Sequence, residues 1–300
     1  MSGARRLTGL AALTAVALLA ALPRTGPAAE LPPINEPPTS DYQRGKLVWV
    51  DLFTADLPGA RRFYGGLFGW TFAELGDGRG TYTVAYQAGL PVGGLVPRKP
   101  LQGEKRQARW VAYLSVADVE GAARKVVDEG GRVLMAPRRV PARGEMAVVA
   151  DPDGAPFGLV NSSSGDPPDA LPVEGDWIWA LYQSPDAASA AAFYQDLGGY
   201  EVVPDERLAP RPHFLLVTGG FARASLVEIP AERSGLRPDW LYFARVRSVA
   251  ESLAKARELG GAVVMEPSPS VLDGRLAVIT DPAGAPLGLM EWDAAAGEDP

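Results

Sequence analysis

This 300-residue chain offers few residue types with which to do chemistry. It has no cysteine, which removes disulfides, thiolate nucleophiles, zinc–cysteine sites and lipid attachment through a thiol. Its one histidine, His213, follows Pro212 at the start of an apolar run, where a surface or strand-end side chain is the ordinary reading. Ser162, Ser163 and Ser164 therefore have no imidazole to activate them. The stretch GDGRG at 76–80 lacks the following helix that a phosphate cradle needs. Arg138, Arg139 and Arg143 precede a strand and read as a solvated loop, with the option of drawing an anion toward a nearby site. That leaves Asp51, which alternates with Trp49 and Phe53 and so shares a strand face with them. A carboxyl buried among rings has its pKa raised and can serve as a general base, so Asp51 is a candidate base if it is buried.

The elements that must position these residues are repeated. The stretch DPDGAPFGL at 151–159 returns as DPAGAPLGL at 281–289, an offset of 130. Asp-Pro followed by a small residue and Gly is turn chemistry, and the apolar flanks make it a turn between strands. At the same offset Trp49 meets Trp179, Phe63 and Tyr64 meet Phe193 and Tyr194, Gly69 meets Gly199, and Trp110 meets Trp240. No gap is needed, which predicts two homologous domains, 46–161 and 176–293, joined by a Ser/Pro/Gly-rich linker at 162–175.

Each domain divides again. An apolar strand at 47–53 is followed by a helix opening at Asp56, with Ala60, Phe63, Tyr64 and Leu67 on one face and Gly69 as its stop. Three strand-like runs follow. The order repeats from Trp110, with a helix opening at Asp118 and ending at Gly130-Gly131. The prediction is an α+β fold of four βαβββ modules in two tandem domains, with helices on one face of curved antiparallel sheets.

The flanking segments carry other expectations. Arg5 and Arg6 precede an apolar run at 10–22, too short for the roughly 18 or more residues of a span. With small residues at 26–29, residues 1–29 read as a cleaved signal peptide, which places the mature protein in the periplasm or outside the cell with no membrane span. The prolines of 30–45 predict an extended, solvated tether, and 294–300 reads as a tail. A net charge of −7 gives no basic surface for nucleic acid.

An Asp after the first strand, then Phe63-Tyr64 and Leu67-Phe68-Gly69-Trp70, a Gly-Gly helix stop and an Asp-Pro-Asp-Gly turn together resemble the vicinal oxygen chelate superfamily. Its members include glyoxalase I, extradiol dioxygenases and fosfomycin-resistance proteins. The resemblance covers roughly 46–161 and 176–292 and is greatest to tandem glyoxalase-like proteins. It implies that paired modules curl into a cup that holds a ligand and, usually, a divalent metal.

Carried over residue by residue, the superfamily's metal-ligand positions fall on Trp49, Val111 and Gly158 in the first domain and on Trp179, Leu241 and Gly288 in the second. The remaining strand offers Gly93-Gly94 and Ala224. None of these side chains binds a metal, so no metal and no other cofactor is expected.

Strand parity then nominates a cup lining of Trp49, Asp51, Phe53, Arg109 and Tyr113 in the first domain. For the second it nominates Trp179, Gln183, Phe243 and Arg245, with Trp177 and Leu181 on the same parity. Rings carrying a few polar groups suit a small-molecule pocket, and the same rings also fill a collapsed cup. An Asp51–Arg109 ion pair across the first cup is a further expectation. Three functions stay open: an exported, metal-free binder of a small organic molecule; an enzyme using Asp51 and Tyr113 or an unrecognised metal site; and an assembly role with the domains packed as a fused dimer. Oligomeric state is open.

Overall fold

The computed structural model describes residues 31–75, 82–100, 102, 106–205, 211–233 and 236–292. The apolar run at 10–22, the GDGRG stretch and the tail lie outside the described residues.

Module one comprises β1 (Leu47–Thr54), α1 (Leu57–Phe68), β2 (Thr71–Leu75), β3 (Tyr82–Gln87) and β4 (Leu90–Pro97). Module two comprises β5 (Ala108–Ser115), α2 (Val119–Asp128), β6 (Arg132–Val140), β7 (Gly144–Ala150) and β8 (Pro156–Ser162). The second domain repeats this with β9 (Trp177–Ser184), α3 (Ala187–Gly198), β10 (Glu201–Pro204), β11 (His213–Thr218) and β12 (Phe221–Glu228). Its last module holds β13 (Asp239–Val246), α4 (Val249–Glu258), β14 (Ala262–Met265), β15 (Leu276–Thr280) and β16 (Pro286–Glu291).

The helices begin where a side chain satisfies the first free amides. Asp56 accepts from Gly59 N, Asp118 from Gly121 N and Asp186 from Ser189 N. α1 and α3 stop at Gly69 and Gly199, both at positive φ near +70°, a backbone region glycine enters without steric cost.

Each domain is one eight-stranded sheet, ordered β2-β3-β4-β1-β5-β8-β7-β6 and β10-β11-β12-β9-β13-β16-β15-β14. The modules of one domain therefore share a sheet, joined by the antiparallel pairs β1/β5 and β9/β13. The sheets are mixed rather than purely antiparallel. Each crossover helix returns the chain parallel to its first strand, and two hairpins bring the fourth strand back parallel beside it, as in β1/β4 and β5/β8.

All four helices and the even-numbered face of β1 and β5 enter one apolar core that both domains share. Phe63 and Tyr64 of α1, Val126 of α2, Tyr194 of α3 and Leu253 of α4 all belong to it. The opposite face of each sheet carries its own smaller cluster, which is its cup. Among the described residues no helix is long and apolar enough to cross a membrane.

The 31–45 segment departs from the solvated tether expected of its prolines. Ile34 is buried in the first cup's cluster, with Leu31 packed against it. Asn35 N donates to Ser164 Oγ (3.1 Å), Thr39 N to Ser164 O (2.9 Å) and Gln43 N to Asp166 Oδ2 (2.6 Å). Once these amides are paired with the linker, an isoleucine in an extended segment has an apolar face to cover.

Candidate functional site

In the first cup, Trp49 and Asp51 of β1 face Tyr113 of β5, as parity requires, and Tyr82 of β3 joins them. Trp49 Nε1 donates to Asp51 Oδ1 (2.9 Å), and Tyr82 Oη donates to the same oxygen (2.6 Å). The Tyr113 phenol lies close enough to Asp51 to help lower its pKa. Burial raises the pKa of the Asp51 carboxyl, while the neighbouring Tyr82, Trp49 and Tyr113 and the Arg143 charge pull it back. The Tyr82 and Tyr113 phenols are held well above their ordinary range by burial and by the neighbouring carboxylate, so both remain neutral donors. Close approach of β4 makes this cluster possible. A Cβ on Gly94 would lie 1.9 Å from Tyr82 Oη and 2.3 Å from Asp51 Oδ1.

Arg143 belongs to the same cup and not to a solvated loop. Between β6 and β7 the chain folds back so that Arg143 is only 1% exposed, with its guanidinium carbon 3.7 Å from the centre of the Trp49 ring. The backbone of its turn is fixed by Arg143 N donating to Val140 O and by Ser163 N donating to Arg143 O.

The expected Asp51–Arg109 ion pair does not form. Arg109 Nη2 lies 3.8 Å from Asp239 Oδ2 of the second domain, which Arg106 Nη1 approaches to 2.5 Å. β5 carries Arg109 opposite Phe53, two pairs beyond the Asp51 pairing, so its long side chain reaches the domain seam instead of the cup. Phe53 is fully buried but stands outside the cup cluster.

The second cup is lined by Trp179, Leu181, Leu241, Phe243, Leu276, Val278 and Met290. Trp179 Nε1 donates to Ser225 Oγ (3.0 Å). Trp179, Leu181 and Gln183 remain partly exposed. His213 opens β11 on the cup side and is buried rather than exposed, with Nδ1 3.5 Å from Asp205 Oδ2. In strand register it stands where Tyr82 stands in the first cup.

Two residues that parity grouped with this cup lie elsewhere. A bulge shifts the pairing so that Phe243 faces Trp179 while Ala244 faces Trp177. Trp177 is thereby turned into the interdomain core, 4.9 Å from the Trp110 ring centre, with Nε1 bound to Val92 O (2.7 Å). Arg245 sits at the end of its strand and donates to Pro172 O (2.7 Å) and Trp292 O (3.2 Å).

The superfamily's metal positions are filled by rings. A Cβ on Gly158 would lie 2.1 Å from Tyr113 Cδ1, and one on Gly288 would lie 2.0 Å from Phe243 Cδ1. Each glycine pairs directly with the residue whose ring covers it. A carboxylate side chain at either site needs that space. Among the described residues no group of three His, Asp or Glu side chains could hold a metal ion. The residues present do not fit the family's metal.

Helix-side geometry explains the repeated turn. Asp151 Oδ1 accepts from Ala155 N (2.8 Å), and Asp281 Oδ1 accepts from Ala285 N (2.8 Å). The second oxygens reach across the seam. Tyr194 Oη donates to Asp151 Oδ2 (2.7 Å) and Tyr64 Oη to Asp281 Oδ2 (3.1 Å). Trp240 and Trp110 donate in turn to those tyrosines. A cleft of about 460 Å³ lies at this seam, lined by Glu129, Asp151, Asp153, Tyr182, Phe193 and Tyr194 among others, on the helix side and away from both cups.

Two glyoxalase-like sheets with paired cups define the class, and the sequence comparisons agree. Residues 46–159 match the Glyoxalase/Bleomycin resistance protein/Dioxygenase superfamily, and residues 179–290 match the Glyoxalase-like domain. CFP32 of Mycobacterium tuberculosis, which carries a glyoxylase name, is 32% identical over 253 residues, covering 83% of this chain and 95% of that protein. The anthracycline biosynthesis protein DauV of Streptomyces sp. is 28% identical over 267 residues, covering 83% of this chain and 94% of that protein. Among solved structures, the Mn(II)-bound glyoxalase from Novosphingobium aromaticivorans shares the fold with a TM-score of 0.58 at 16% identity, covering 83% of this chain and 82% of that one. The chain belongs to the vicinal oxygen chelate (glyoxalase/bleomycin resistance/dioxygenase) superfamily, with two such domains in tandem.

Proposed function

We propose that this protein binds a small, largely apolar organic molecule in the cup of its second domain, without recruiting a metal, and that it does so after export from the cytoplasm. One observation carries the binding reading. The Phe243 ring occupies the space a metal-ligating side chain would need, while Trp179 and Leu181 of the same cluster stay partly exposed. Concave apolar walls with a few polar groups are what small-molecule sites offer. The relatives' names speak of a glyoxylase and of anthracycline biosynthesis, two different chemistries, so the ligand class rests on the cup itself. Export rests on the arginines and apolar run of residues 1–29, and N-terminal sequencing of protein recovered outside the cytoplasm tests it.

Native mass spectrometry of the chelator-treated protein against a metabolite extract tests the binding. Retained ligands that are lost in Trp179→Ala support the reading. Ligand capture that needs added Fe, Mn, Ni or Zn overturns it.

A second reading, an enzyme using Asp51 as general base, is favoured by the burial that raises the Asp51 pKa. Solvent-deuterium exchange into small ketones by the wild type, lost in Asp51→Asn, would establish it. Equal exchange by both proteins would dismiss it.

A further inference from the structure

We infer that the first cup holds a second, separate site, centred on Arg143, for a small organic monocarboxylate. Arg143 Nε, Nη1 and Nη2 are buried, and none of the three has a hydrogen-bond partner among the described residues. A buried guanidinium whose nitrogens are all unpaired is costly, because its donors have left water for nothing in return. Its stacking on Trp49 fixes the plane of the fork but satisfies no N–H group. Asp51, the acid of this cup, lends charge without contact, since its carboxyl takes donors from Trp49 and Tyr82.

The missing partner must supply planar paired acceptors, which a carboxylate presents to a guanidinium fork. Charge narrows the class. Arg143 and an ionised Asp51 already balance, so one added negative charge is offset by a proton on Asp51, whereas a dianion leaves an excess buried charge. The apolar cluster that holds Trp49 also contains Val84, Met146, Val148 and Val160, so the body behind the carboxylate should be apolar. The strap at 31–35 covers this cup. Ile34 packs into the same cluster, and Asn35 is tied to Ser164, next to the Ser163 that holds the Arg143 carbonyl.

Isothermal titration of the full chain with acetate, benzoate and phenylacetate tests the site, with benzamide and phenyl phosphate as neutral and dianionic controls. At least one monocarboxylate should bind ten-fold or more tighter than either control. Arg143→Met should weaken it at least ten-fold, Arg143→Lys should fall between, and Trp179→Ala in the other cup should leave it unchanged. No binding by any of the three, or no preference for the carboxylate over benzamide, overturns the site in the wild type alone, whether or not Arg143→Met folds. Binding retained in Arg143→Met, or lost in Trp179→Ala, overturns the location.

Discussion

The two cups are built on equivalent strands in the same order, yet one is deeply buried and polar while the other is apolar and partly exposed at Trp179 and Leu181. Trp49 and Trp179 hold equivalent places, but Trp49 donates to the Asp51 carboxylate as well as to the Tyr82 hydroxyl, whereas Trp179 donates to the Ser225 hydroxyl. Asp51 is replaced by Leu181 and Tyr113 by Phe243. Arg143 lies inside its cup, whereas Asp273 at the matching position points outward with its side chain 88% exposed. A strap crosses the first cup, and Ile34 has no counterpart over the second among the described residues. What the cups share is the ring over each metal position, Tyr113 or Phe243. The position where the superfamily places a ligating carboxylate is thus covered by a ring in both halves, while the polar content of the two cups differs.

The comparison is most exposed to failure at the covered glycines. Gly158→Ala drives a methyl into the buried Tyr113 ring beneath a strap, and overpacking there should cost about 3 kcal/mol in urea unfolding. Gly288→Ala meets a Phe243 ring as buried as Tyr113, but in a cluster whose Trp179 and Leu181 are partly exposed and free to give way, and should cost roughly half of that. Equal costs would show that the second cup is as tightly closed as the first.

Ile34→Asp should destabilise by about 2 kcal/mol, since it seats a charge in the first cup's apolar cluster. An unchanged unfolding midpoint would mean that the strap adds nothing to the first cup. On the helix side the halves should behave alike. Tyr64→Phe and Tyr194→Phe each remove the donor to a buried carboxylate and should each cost about 1–2 kcal/mol. Markedly unequal values would show that the asymmetry of the cups extends into the seam.

The smallest effect concerns pH. Burial raises the pKa of Asp51 above its unfolded value, so between the two values the folded chain holds a proton that the unfolded chain has released. The stability this brings is fully present below the unfolded value of about 4 and is lost as pH rises through the folded one. Asp51→Asn should flatten that fall, measured as urea stability at a series of pH values. Leu181→Ala in the other cup should leave the slope unchanged.

Much of the fold was readable because helix starts, helix stops and turns are local chemistry. Asp56, Gly69, Asp118 and Gly199 each act within a few residues of their own position. Trp49, Asp51 and Tyr113 were likewise legible, since side-chain alternation follows directly from the strand. Trp177 was misplaced because one bulge reverses parity, and no residue type announces a bulge. Arg143 read as a loop cation because its partner ring is 94 positions away and only the fold-back after β6 brings them together. Arg109 was assigned to Asp51 for want of any signal that Asp239 of the other domain lies nearer. The strap was missed for the same reason, since prolines report backbone stiffness and say nothing of where one isoleucine lands.

The reciprocal reach of Asp151 to Tyr194 and of Asp281 to Tyr64 makes the seam self-complementary, like the two-fold contact of a homodimer. In a dimer of identical subunits, every substitution appears twice and both cups must change together. Here a peptide linker keeps the two copies at high effective concentration and lets each be altered alone. Cleavage within 167–174 should therefore leave the halves associated. That single covalent join is what frees one cup to acquire a charged, strapped interior while its twin stays open.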